Sequence, residues 1–162
     1  MKIIIVEDEK SIRSGLARML PKLDPEYEVA GAAKDGQEGY QLIYGENPDL
    51  VIMDIEMPEM DGLTMLEKLR ENGFQGKAIV LTAYSDFSYA KRAIELGIEN
   101  YLLKPIKIEE LKKTLQGVSA SLNQAAGTRK IQEKLLSLEQ LFRSALLAEL
   151  DVDEELENYT EA

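Results

Sequence analysis

Neither cysteine nor histidine occurs among the 162 residues. Without thiols there are no disulfides and no thiolate metal sites, and a cytoplasmic setting is expected. Without imidazoles, histidine acid–base catalysis and His-ligated zinc or iron are excluded. Any metal held by these side chains must be a hard cation on oxygen ligands. Long apolar runs are lacking too, and nothing approaches the roughly 20 residues that span a bilayer. Met1-Lys2 leads straight into a strand pattern, so no signal peptide is expected. Bases are outnumbered, with 19 Lys and Arg against 30 Asp and Glu and a net charge of −11. The imbalance is uneven: residues 1–120 carry 21 acids and 15 bases, 121–150 carry 3 and 4, and 151–162 carry 6 acids and no base. An acidic chain with no basic face is not expected to bind nucleic acid directly, nor to bind a membrane.

What is present is organised around Leu50-Val51-Ile52-Met53, an apolar run that ends on Asp54 and a Pro- and Gly-containing loop. Such a run reads as a strand buried on both faces of a parallel sheet. Lys2–Val6, Glu28–Ala32, Ala78–Leu81 and Tyr101–Leu103 read as four more strands, the second of them suited to an edge. Between them lie helical patterns. The first carries Ile12, Leu16, Met19 and Leu20 and should close at Pro21. Others follow Asp35-Gly36, carry Leu63, Leu66 and Leu69, start near Asp86, and carry Ile108, Leu111, Leu115 and Val118. The alternation predicts an α/β fold, a doubly wound five-stranded parallel sheet in the flavodoxin-like order 2-1-3-4-5. Residues 121–150 then form a C-terminal helical extension, and the acidic residues 151–162 should be unstructured.

That strand order sets Glu7 and Asp8, after strand 1, beside Asp54, after strand 3. Carboxylates about 4 Å apart repel by about 4 kcal/mol per pair at an effective dielectric near 20. A divalent cation would relieve this, and a small, open, all-oxygen site favours Mg²⁺, which keeps waters and accepts phosphate. Strand 4 ends on Thr82, whose hydroxyl can donate to a phosphoryl oxygen. Strand 5 is followed by Lys104, whose ammonium can pair with Asp54 or with a phosphoryl group.

Glu7-Asp8, Asp54, Thr82 and Lys104-Pro105, with Met57-Pro58 and Met60-Asp61-Gly62, resemble the receiver domain of bacterial two-component response regulators over about residues 1–120. The resemblance implies a (βα)5 receiver in which Asp54 accepts a phosphoryl group from a sensor histidine kinase. It implies that Glu7, Asp8, Asp54 and the Glu56 backbone carbonyl hold Mg²⁺. It implies further that Thr82 and Lys104 contact the phosphoryl group, that Tyr101 is the switch aromatic, and that Lys104-Pro105 is a cis peptide. Phosphorylation would then alter the face of helix 4, strand 5 and helix 5 and favour a homodimer. Glu56 and Tyr84, two residues beyond Asp54 and Thr82, are candidates for setting the phosphoryl lifetime. Leu81–Ala90 and Ala93–Pro105 resemble receivers joined to AraC-type helix-turn-helix output domains, so a DNA-binding domain is expected in a longer parent protein. Two other classes compete: a Mg²⁺-dependent aspartyl phosphohydrolase, with Glu56 as a loose stand-in for a second acid–base group, and a degenerate receiver that only binds proteins. In the extension, Ile131, Leu135, Leu138, Phe142 and Ala145 follow a 4-3-4-3 spacing that Glu149 interrupts. Gly127 is expected to break this segment from the preceding helix, leaving either a solvated linker helix or a weak dimerisation helix.

Overall fold

The computed structural model of the chain describes residues 1–83 and 87–160, with the side chains of all of these except Phe87 and residues 141–160. Among them strands and helices alternate: β1 (Lys2–Val6), α1 (Lys10–Leu23), β2 (Glu28–Ala33), α2 (Gly36–Glu46), β3 (Leu50–Met53), α3 (Gly62–Glu71), β4 (Lys77–Thr82), α4 (Phe87–Glu95), β5 (Asn100–Leu103) and α5 (Ile108–Thr160). The strands form one sheet in the order β2-β1-β3-β4-β5, and all four neighbouring pairs are parallel. This is the doubly wound flavodoxin-like fold that the alternation predicts. Ile3 to Val6, Leu50 to Met53 and Ala78 to Leu81 are buried throughout, because helices cover both faces of the three central strands. β2, at an edge, buries only Ala33. Leu63, Met65, Leu66 and Leu69 of α3 and Leu111, Leu115 and Val118 of α5 supply further core from the helices.

Three local expectations are corrected. α1 does not close at Pro21 but runs to Leu23. Proline gives up its own N–H bond there, yet the Asp24 N–H still reaches the Leu20 carbonyl at 3.4 Å. α5 runs unbroken through Gly127. A helical glycine costs about 1 kcal/mol relative to alanine, too little to interrupt a run of Ala, Gln, Glu, Lys, Arg and Leu. The helix also continues through 151–160, within the segment 151–162 that was expected to be unstructured; 161–162 lie outside the described residues. Leu156 and the glutamates around it are good helix formers. By internal contacts the chain divides into Met1–Ser119 and Ala120–Ala162.

The turn that leads from β3 into α3 is anchored by its cap. The Asp61 Oδ1 accepts the Thr64 N–H at 2.7 Å, and its Oδ2 accepts the Thr64 hydroxyl at 2.8 Å. This satisfies one of the open donors of the first helical turn. Asp61→Ala should therefore lower the unfolding free energy by about 1 kcal/mol. Urea denaturation followed by circular dichroism measures it, and an unchanged midpoint would remove the cap from the account.

Candidate functional site

A parallel sheet brings every strand's carboxyl end to the same edge. Val6 of β1 pairs with Met53 of β3. The Asp54 N–H continues the ladder to the Val6 carbonyl at 2.9 Å, and the Glu7 N–H to the Ala33 carbonyl at 3.0 Å. Glu7 and Asp54 thus leave adjacent strands side by side. Carboxylate oxygens of Glu7, Asp8 and Asp54 all lie within 4.8 Å of one another. Glu7 and Asp54 are buried and Asp8 is exposed.

The countercharge comes from beyond β5. The Lys104 N–H donates to the Thr82 carbonyl at 2.8 Å, fixing the start of that loop against the end of β4. The Lys104 ammonium donates to Asp54 Oδ2 at 2.8 Å and faces Glu7 Oε2, also at 2.8 Å. The Lys104-Pro105 peptide is cis. Asp54 Oδ1 accepts the N–H of its own neighbour Ile55 at 2.6 Å. Burial lowers the affinity of a lysine for its proton, but hydrogen bonding and charge from Asp54 and Glu7 outweigh it and hold Lys104 above its usual value. Burial pushes the Glu7 carboxyl up, the Asp54 charge adds to the push, and the contacts from Lys104 and the Glu9 N–H only partly counter it. Glu7 Oε1 accepts that Glu9 N–H at 3.1 Å, whereas the enclosed Oε2 faces the Lys104 ammonium at 2.8 Å as an ion pair off the ideal hydrogen-bond direction.

Thr82 is fully buried at the end of β4, in register with Leu103. Tyr101, half-buried, packs against the central core. Glu56 is exposed, and its Oε1 accepts the Tyr89 hydroxyl at 3.1 Å. Tyr84 lies outside the described residues. The loop between Asp54 and α3 is wound tightly. The Gly62 N–H donates to the Ile55 carbonyl at 2.8 Å, and a Cβ on Gly62 would fall on the Asp54 carbonyl oxygen. Within the loop Glu59 takes φ +66°, and the Met60 N–H reaches the Pro58 carbonyl at 2.7 Å, a γ-turn with a non-glycine residue in the left-handed region.

Sequence reasoning missed the residues that hold this arrangement. Arg13 of α1 donates from one guanidinium nitrogen to the Glu7 carbonyl at 2.6 Å and the Asp8 carbonyl at 3.1 Å. Its signal was a cation in a first helical turn, where the macrodipole disfavours it unless something else claims the charge. Arg92 of α4 donates to the Thr64 hydroxyl at 3.0 Å and to Glu67 Oε2 at 3.3 Å, and lies 3.7 Å from Asp61 Oδ1. With Tyr89 it ties α4 to the loop after Asp54 and to α3.

The donor set fits a hard cation. It is all oxygen, its three carboxylate oxygens lie within 4.8 Å of one another, and it has an exposed side at Asp8. Residues 3–116 match the family model of the response regulator receiver domain. The chain belongs to this family. It is the receiver domain of a response regulator in a two-component system, a signalling protein. The receiver is 34% identical over 114 residues to a probable C4-dicarboxylate response regulator, DctR, of Priestia megaterium, covering 70% of this chain and 50% of that one. It is 36% identical over 152 residues to the transcriptional regulatory protein PdtaR of Mycobacterium tuberculosis, covering 86% and 73%. The structure of a LuxR-family DNA-binding response regulator from Staphylococcus aureus superimposes with a TM-score of 0.68 at 32% identity, covering 72% of this chain and 97% of that one. The chain thus spans about half the length of the first of these relatives. Since LuxR-family regulators are among its neighbours, the likeness to receivers of AraC-type proteins does not single out that output class. Among the described residues no helix is long and apolar enough to cross a membrane.

The charge arrangement has a measurable consequence. Lys104→Met leaves two enclosed carboxylates facing each other and should destabilise the metal-free receiver by about 3 kcal/mol. Adding Asp54→Asn to that variant should recover more than half of the loss, a coupling that urea denaturation of the double-mutant cycle reads directly. If the double variant is no more stable than Lys104→Met, the lysine's role is packing rather than charge.

Proposed function

We propose that the receiver is a phosphorylation-activated switch in which Asp54 accepts a phosphoryl group from the phosphohistidine of a sensor histidine kinase. The observation that carries this is the Lys104 ammonium at 2.8 Å from both the Asp54 and Glu7 carboxylates, at the edge where the parallel strands end. A carboxylate oxygen of Asp54 attacks the phosphorus as the phosphorus–nitrogen bond breaks. The electron pair stays on the imidazole nitrogen, which takes its proton from solvent, and Asp54 becomes an acyl phosphate. Lys104 then has a phosphoryl oxygen to pair with in place of the carboxylate it now holds. Thr82, at the end of β4, would donate its hydroxyl to a second phosphoryl oxygen. Glu7, Asp8, Asp54 and the Glu56 backbone carbonyl would hold Mg²⁺. When bound, that ion offsets the negative charge that otherwise keeps a phosphoryl group out.

Movement of Thr82 toward the phosphoryl group would let Tyr101 turn inward and reshape the face of α4, β5 and α5. Ile94 and Leu103 already stand exposed there, at 76% and 47%. Pairing of two phosphorylated copies through that face, in the cytoplasm, would transmit the signal to a transcriptional output. An AraC-type DNA-binding domain in a longer parent protein fits this scheme, since the acidic chain itself offers no basic face for DNA. The phosphohydrolase reading is weaker, because Glu56, its only acid–base candidate two residues beyond Asp54, is exposed and engaged by Tyr89. The protein-binding-module reading is weaker because every one of the strand-end groups is present.

Acetyl phosphate with Mg²⁺ should add the mass of one phosphoryl group to the wild-type chain and none to Asp54→Asn. Asp8→Asn should label only at much higher Mg²⁺ while remaining folded. Equal labelling of Asp54→Asn would end the assignment. The lifetime of the label is a separate readout. Tyr84→Ala should shorten it by opening the approach to water, and an unchanged decay rate would remove Tyr84 from the site.

A further inference from the structure

The second unit of the chain carries a helix whose described side chains stand exposed over a long stretch. Every described side chain from Asn123 to Gln140 is exposed. Helices in proteins draw most of their stability from packing an apolar face, and a long helix exposed over such a stretch calls for that support. Three of its four exposed large aliphatic residues also share one line, Leu136 at 57% lying off it. Ile131, Leu135 and Leu138 are exposed at 64%, 58% and 44%, and they fall at successive four- and three-residue steps. In sequence the same steps continue backward to Thr128 and forward to Phe142 and Ala145.

We propose that a second copy of this chain covers that face, and that the two copies pair over residues 128–145 as a parallel, in-register two-stranded coiled coil. The occupant and its direction follow from charge. With Thr128, Leu135 and Phe142 at the first core position of each heptad and Ile131, Leu138 and Ala145 at the second, Lys134 and Glu139 flank the seam at the two edge positions. In a parallel pair, an edge residue meets the partner helix's opposite edge five residues later. Lys134 of each copy therefore faces Glu139 of the other, giving two opposite-charge contacts. An antiparallel pair sets like edges together, which brings Lys134 and Glu139 no opposite partner. The seam covers only about two heptads, so the association is weak and rises with protein concentration. The pairing goes beyond the phosphorylation reading and uses no residue of the Asp54 site, so Asp54→Asn leaves it intact.

The chain lacks cysteine, so single introduced thiols report cleanly on neighbouring positions. In a parallel in-register pair each core position meets itself, at a Cα separation that a disulfide can bridge. Ile131→Cys and Leu138→Cys, each in the full-length chain under mild oxidation, should both give disulfide-linked dimers. Leu136→Cys, off the seam, should give several-fold less. An antiparallel pair can link to itself at only one of the two seam positions. By sedimentation, Lys134→Glu should weaken dimerisation about tenfold, and Lys134→Glu with Glu139→Lys should restore it. A monomer at all concentrations, cross-linking at only one seam position, or a charge swap that fails to restore the dimer would each overturn the proposal.

Discussion

Two enclosed carboxylates at the ends of neighbouring parallel strands cannot both stay charged without a cation between them. In this fold the cation is Lys104, which reaches in from beyond β5 to touch both Glu7 and Asp54. The chemistry of the site follows from this shortage. One ammonium serves two buried anions, with a third carboxylate on Asp8 at the open side, so the pocket remains short of positive charge. Such a pocket suits a further cation, the condition on which the proposed phosphorylation of Asp54 rests. The stability of the sheet and the reactivity of its edge are therefore set by the same contacts.

Around this centre the backbone is held by groups with no part in the chemistry. Arg13 clamps the carbonyls of Glu7 and Asp8 from α1. Gly62 lets the loop after Asp54 fold against the Asp54 carbonyl, and Asp61 caps the helix that follows. Glu59 accepts a left-handed conformation within that loop, the kind of local strain that persists only where surrounding structure holds it. Tyr89 and Arg92 then connect α4 to the same loop and to α3. Displacing the backbone at Glu56 or Asp61 thus has a direct mechanical route to α4.

The strands and their order were legible because β1, β3 and β4 are uninterrupted apolar runs that only a sheet covered on both faces can bury. The strand-end groups were legible because parallel topology converts sequence position into a shared edge, which is how Glu7, Asp8, Asp54 and Lys104 could be placed together. Helix ends were less readable. Pro21 and Gly127 carry local penalties that a well-formed helix tolerates, so neither acts as the stop its identity implies. Arg13, Tyr89 and Arg92 could not be chosen from composition or periodicity, because each is a surface-type residue whose partners are fixed only by the packing of two separate elements. The output class was over-specified, since the stretch from Leu81 to Pro105 reports the receiver more than whatever domain accompanies it.

The sheet order also governs how the site comes together as the chain is made. β1 must wait for β3 before it gains its central neighbour, since Ile3 pairs with Leu50, and β3 in turn pairs with β4 through Leu50 and Lys77. Long-range parallel pairings of this kind form slowly, and chains emerge from synthesis amino end first. Glu7 and Asp54 are therefore synthesised, and can be brought together, well before Lys104 exists. A sheet assembled without the segment after β5 would set those two carboxylates together without their ammonium. Lys104 directly follows the last strand of the sheet, so the segment that completes the sheet also carries the charge that offsets its edge.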